Sequence, residues 1–86
     1  MNKIAYKKRE GHCQLCDLDD ERMLEVHRIL PGCEGGKYTE ENSVCLCRLC
    51  HRREHLGDTK IDRWCYTSNG NRVLKFLDSN GHTVFK

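Results

Sequence analysis

Four cysteines in this 86-residue chain carry the first chemical signal: Cys13-x-x-Cys16 and Cys47-x-x-Cys50, two knuckles separated by thirty residues. Zinc takes four soft ligands in a tetrahedron, and a two-residue gap lets both sulfurs of a knuckle turn toward one ion. Two such pairs from distant parts of the chain read as one structural Zn2+ site that replaces part of a core. Histidines carry the second signal. His51 and His55 are four residues apart, so on a helix both imidazoles project from one face. His27 would complete a set of three nitrogen ligands and leave positions open on a divalent cation, which could then polarise a substrate oxygen. Singly, each histidine has an ordinary reading: His51 is a solvated neighbour of a zinc ligand, and His55 a cation near a helix C-terminus. Beside the thiol frame, the three together read as a second metal site.

Short elements must position these groups. Residues 3–10 read as a helix or a basic arm, and His12 to Cys16 as a tight turn carrying paired thiols. Met23 to Leu30 is rich in aliphatic residues and stops at Pro31-Gly32, as a strand would. A loop over 31–42 contains Gly32, Gly35 and Gly36. Ser43 to Cys47 reads as the returning strand, and Arg48 to Leu56 as a short helix with Gly57 in the C-terminal glycine position. Trp64 to Thr67, Arg72 to Leu77 and Thr83 to Phe85 are separated by Asn-Gly at 69–70 and 80–81, which predicts a small antiparallel meander. Trp64, Phe76 and Phe85 are its expected core. Cys45 reads as a small buried hydrophobe on its strand. Cys33 and Cys65 read as structural.

The stretch Glu25-Val26-His27-Arg28-Ile29-Leu30-Pro31, then Glu34-Gly35-Gly36, Glu41-Asn42 and Leu46-Cys47-Arg48-Leu49-Cys50-His51-Arg52-Arg53-Glu54-His55, resembles the HNH endonuclease family. The subgroup is the one whose ββα-metal hairpin is held by a zinc ion on four cysteines. The resemblance covers about residues 11 to 56. It implies a small α+β fold, a ββα-metal core stapled by the four-cysteine zinc site and followed by the β meander. The division read here is one domain over 1–86, with a basic lead-in (1–11), the zinc-stapled core (12–57) and a β appendage (58–86). It further implies a metal-dependent endonuclease that hydrolyses DNA phosphodiester bonds and leaves a 5′ phosphate. The catalytic ion, such as Mg2+, Mn2+, Ni2+ or Zn2+, would sit on His27, His51 and His55. Asn42 occupies the position the family uses to tie the loop down and orient a catalytic residue. Arg48, Arg52 and Arg53 flank the helix that the family lays against the DNA backbone, where phosphate contacts position without specifying sequence.

One position departs from the family pattern. Two consecutive polar residues are usual on the first strand, the first a metal ligand and the second a general base. Here His27 takes the ligand place and Arg28 the base place, and an arginine is not deprotonated near neutral pH. Three readings stay open. Arg28 grips the phosphate or stabilises the transition state while another group activates the nucleophile. Alternatively the register differs by one residue, which reverses the faces of the strand, and His27 is itself the base. In the third, catalysis is lost and a zinc-containing DNA-binding module or a zinc-stapled protein-interaction domain remains. His27, Arg28, Asn42 and His51 are therefore the catalytic candidates. Glu25, two residues before His27 on the same strand face, and Tyr38 in the Gly-Gly-x-Tyr loop are candidate supporting residues.

Composition sets the frame. With 37% hydrophobic and 33% charged residues, a chain of this length buries little and needs a staple. No apolar run approaches the ~20 residues of a membrane span. Seven cysteines, an odd number, argue against a closed disulfide framework. The expectation is a soluble, cytoplasmic protein in a reducing compartment. Net charge is only +2, and four thiolates with one dication would bring it to zero. Affinity for DNA must then come from clustering: Lys3, Lys7, Lys8 and Arg9 form one basic run, and Arg48, Arg52, Arg53, Lys60 and Arg63 another. The expected state is a monomer or weak homodimer. The compact form resembles stand-alone HNH proteins of phages and mobile elements, which work alone or in larger complexes.

Overall fold

The architecture comes from a computed structural model that describes residues 1–86. Helix α1 (Lys3–Glu10) starts at Asn2, whose side chain accepts a hydrogen bond from the Ala5 amide at 3.0 Å, and ends at Gly11 with φ 73°. Strand β1 (Leu24–Arg28) pairs antiparallel with β2 (Ser43–Cys47), in a register that matches Leu24 with Cys47, His27 with Val44 and Arg28 with Ser43. Helix α2 (Arg48–His55) follows β2 without a linker. Its N-cap is Cys47, whose Sγ accepts from the Cys50 amide. Strands β3 (Lys60–Tyr66), β4 (Arg72–Leu77) and β5 (Thr83–Phe85) form a second antiparallel sheet in that order. The fold is small α+β, with the four cysteines gathered at one point.

β1 is shorter than the aliphatic run suggests. It ends at Arg28, and Leu30 is exposed. The reason is Asn42: its backbone carbonyl accepts from the Ile29 amide and its Oδ1 from the Leu30 amide at 2.7 Å. A side chain thus replaces the next rung of the ladder. β3 begins four residues earlier than expected, at Lys60, and carries an irregularity between Ile61 and Arg63 that breaks the alternation of faces. Both Asn-Gly pairs form turns, yet only Gly70 (φ 82°) and Gly81 (φ 78°) enter the left-handed region. The Gly70 amide donates to the Thr67 carbonyl and the Thr67 amide to the Asn71 carbonyl. This is the longer hairpin loop with glycine in the left-handed place.

Tyr6, Leu24, Val44, Cys45, Leu46, Leu74 and Phe76 form one cluster with the thiols Cys13, Cys47 and Cys50. It draws on α1, on the β1–β2 hairpin and on β4. Trp64 is half-buried against it. Its Nε1 donates to the Ser43 carbonyl at 2.8 Å, and the Tyr6 hydroxyl donates to the same oxygen at 3.1 Å. Phe85 corrects the expectation of a third core aromatic: it is 59% exposed, and on β5 it is Val84 that packs inward. Only 12 of 86 residues are buried, so a cross-link by metal has much to add.

Candidate active site

The Sγ atoms of Cys13, Cys16, Cys47 and Cys50 lie within 4.8 Å of one another. Cys16 and Cys47 are 3.7 Å apart, and the edge of a tetrahedron with metal–sulfur bonds of about 2.3 Å is ~3.8 Å. The donor set and its dimensions therefore fit a metal such as zinc. Burial acts to raise the Cys47 thiol, but hydrogen bonds from the Cys50 amide and the neighbouring thiols outweigh it and hold it below the ordinary value. Cys45 is buried in the strand and stands outside this group. Desolvation pushes its thiol up to about 11.

The imidazoles of His27, His51 and His55 form the second group, again with ligand nitrogens within 4.8 Å of one another. His27 shares a face of β1 with Glu25, and that face is turned to α2: ring centroids of His27 and His51 are 5.1 Å apart, and of His27 and His55 5.7 Å. Nε2 of His51 and Nε2 of His55 approach to 3.1 Å. Two ligands at a right angle around a metal with bonds of about 2.1 Å would be ~3.0 Å apart. His27 is 5% exposed, and its Nε2 is buried without a hydrogen-bond partner. Burial, then the nearby charges of His51 and His55, push it down to about 4. A buried nitrogen lone pair kept neutral and unsatisfied is a ligand's condition. The residues fit a divalent cation.

Glu25 lies beside His51: its Oε1 is 2.9 Å from His51 Nδ1, the nitrogen opposite the one that faces the cluster. A carboxylate there fixes the tautomer that leaves Nε2 free. Arg48 Nε is 3.8 Å from the other oxygen of Glu25. Asn42 spans the loop between the strands, donating through Nδ2 to the carbonyls of Leu30 and Lys37.

A cavity of about 420 Å³ opens over the imidazoles, walled by His27, His51, His55, Arg28, Tyr38 and Glu54 among others. Arg28 leaves the end of β1 with its guanidinium 4.5 Å from the Tyr38 ring centre. Arg52 and Arg53 are exposed on α2, outside this wall, and Arg48 is exposed at its start. Glu54 is the residue that sequence reasoning missed. Its Oε2 lies 3.5 Å from His27 Nε2, and it is the one carboxylate in the wall. The available signal was its spacing, three residues after His51 on the same helix face.

A strand hairpin and a following helix that bring three imidazoles together, beside four clustered thiols, define a ββα-metal unit. The chain belongs to the HNH endonuclease family: residues 13–57, just over half of it, match the family model of that description. It is similar to the type IV methyl-directed restriction enzyme EcoKMcrA of Escherichia coli, 30% identical over 81 residues that cover 86% of this chain and 26% of that enzyme. It is also similar to anaredoxin of a Nostoc species, 42% identical over 69 residues that cover 70% of this chain and 91% of anaredoxin. The chain thus spans about a quarter of the restriction enzyme and nearly all of anaredoxin. No solved structure matches it. No helix is long and apolar enough to cross a membrane.

Proposed function

We propose that this chain is a metal-dependent endonuclease hydrolysing DNA phosphodiester bonds, with residues 1–86 acting as one domain. The observation that carries the reading is the convergence of three imidazoles around the unsatisfied, buried Nε2 of His27. Cys13, Cys16, Cys47 and Cys50 would hold a structural zinc ion, and His27, His51 and His55 a divalent ion such as Mg2+, Mn2+, Ni2+ or Zn2+. When bound, that second ion supplies Lewis acidity toward a phosphate oxygen and the leaving 3′ oxygen.

The protein's own groups do the rest. Glu25 holds His51 in one tautomer. Arg28 donates to a non-bridging phosphate oxygen, as a guanidinium with no internal acceptor can. Because the face of β1 turned to α2 carries His27, the reading of Arg28 as a phosphate grip is favoured over a shifted register. Asn42 keeps the Leu30–Lys37 loop in place beside them. Arg48, Arg52 and Arg53 meet the DNA backbone outside the cavity.

The test is incubation of the purified chain with supercoiled plasmid and Mg2+, Mn2+ or Ni2+. Nicking or linearisation is expected, abolished by EDTA and lost in His51→Ala. Retention of DNA without cleavage in every metal would overturn the enzyme reading and leave a zinc-containing DNA-binding module. Failure to bind DNA even at low salt would leave a protein-interaction domain.

A further inference from the structure

Two arginines are half-buried, Arg28 and Arg72, and they are treated differently. Arg72 lies against the Trp64 ring and is paired with Glu10 at 2.6 Å. Arg28 lies against the Tyr38 ring and has no carboxylate, carbonyl or hydroxyl partner at all. A partly desolvated guanidinium without an acceptor is unfavourable unless an anion arrives to meet it.

What holds Arg28 in this position is on both sides of it. On one side is Gly32. A Cβ built there would stand 2.6 to 2.8 Å from the nitrogens and central carbon of the guanidinium, so the glycine leaves the space the guanidinium fills. On the other side is the ring of Tyr38 at 4.5 Å, within reach of a cation–π contact. The same ring carries Lys3 of α1, with Nζ 3.8 Å from its centre, and Lys3 too has no ion-pair partner. Gly32, Arg28 and Tyr38 all line the cavity over the imidazoles.

We infer that Tyr38 is a positioning residue: with Gly32 it clamps the Arg28 guanidinium at the mouth of the imidazole cavity, ready for a phosphate of the DNA strand. This rests on the nuclease reading for its ligand, but the clamp itself is testable without cleavage. The ring face, not the phenol, does the work, so Tyr38→Phe keeps the device and Tyr38→Leu breaks it. Gly32→Ala breaks it from the other side. Gly32 does not sit in the left-handed region, and what a methyl would strike is the movable end of a side chain, so the loop itself tolerates it.

Two measurements on the full chain test this. By NMR in the absence of added divalent metal, the Arg28 Nε–H resonance should carry a ring-current shift that Tyr38→Phe retains and Tyr38→Leu loses. In a DNA-binding and cleavage cycle, Arg28→Ala should cost about 10- to 100-fold and Tyr38→Leu about 3- to 30-fold. Tyr38→Leu should cost less than about 2-fold once Arg28 is already alanine, the non-additivity expected of one acting through the other. Gly32→Ala should resemble Tyr38→Leu, and Tyr38→Phe the unaltered chain. Additive losses in the double variant, or a Tyr38→Phe chain as impaired as Tyr38→Leu, would overturn the clamp. A chain that cleaves nothing yet keeps the ring-current shift and the binding cycle would sink the nuclease reading and leave the clamp standing.

Discussion

Replacing His27 with leucine should make the zinc-stapled fold more stable while its histidine site is empty, and should destroy its capacity for the second metal. His27 is 5% exposed, and its Nε2 has no hydrogen-bond partner, with a Glu54 carboxylate oxygen at 3.5 Å. An unsatisfied buried polar atom costs about 1–3 kcal/mol, and a leucine of similar volume removes that cost. The imidazole also makes stability depend on pH. Its value falls from 6.5 in the unfolded chain to about 4 in the folded one. Between these limits the unfolded chain binds a proton that the folded chain refuses, so stability drops as the pH is lowered. The full loss is reached below about pH 4 and amounts to about 3 kcal/mol. Urea unfolding of the chain carrying one equivalent of zinc, between pH 7.5 and 4 and with and without Mn2+, measures both effects. The unaltered chain should gain ~2.7 kcal/mol from Mn2+ at a hundred times its dissociation constant. His27→Leu should start about 1–3 kcal/mol higher, gain nothing from Mn2+ and lose less stability on acidification. A His27→Leu chain that is less stable than the unaltered one without Mn2+, or still responds to Mn2+, would refute the argument that this nitrogen is kept unpaired for a cation.

Two further outcomes follow from the same geometry. Withdrawal of zinc by a thiol-competitive chelator, or Cys50→Ser, should abolish cooperative unfolding and the near-ultraviolet dichroism of Trp64, because structural zinc contributes on the order of 10 kcal/mol in comparable small sites. A chelated chain that still melts cooperatively would show that the apolar cluster suffices alone. Asn42→Ala removes three side-chain hydrogen bonds to Leu30 and Lys37 and should lower the urea midpoint by an amount equivalent to about 1–3 kcal/mol. An unchanged midpoint would mean that the backbone bond from Ile29 to the Asn42 carbonyl holds the loop by itself.

The parts of the molecule that the sequence discloses are those with fixed spacing. Cys13, Cys16, Cys47 and Cys50 are separated as a tetrahedron requires, and the structure gathers their sulfurs. His51 and His55 are one helical turn apart, and their Nε2 atoms meet at 3.1 Å. Features that depend on where a chain turns are less legible. The end of β1 is set by Asn42, twelve residues downstream of Leu30, so no local pattern marks it. Glu54 is not marked by any local pattern, because what sets it apart is its nearness to His27 across the gap between strand and helix. Phe85 looks like core by type, yet it lies on a three-residue edge strand whose other side faces the cluster. β3 has too mixed a pattern for its start at Lys60 to be read, since the irregularity near Asp62 interrupts its alternation.

The carbonyl of Ser43 accepts from Tyr6 and from Trp64, and Ser43 is the residue that faces Arg28 across the hairpin. The two flanks are therefore fastened to a single oxygen directly behind the mouth of the cavity. Cutting the chain back to residues 12–57 would strip that oxygen of both donors and lay bare Val44 and Cys45, which are buried in one cluster with Tyr6 and Leu74. Anyone transplanting the hairpin into another scaffold should expect to carry both flanks with it, or to supply an aromatic pair that reaches the same atom.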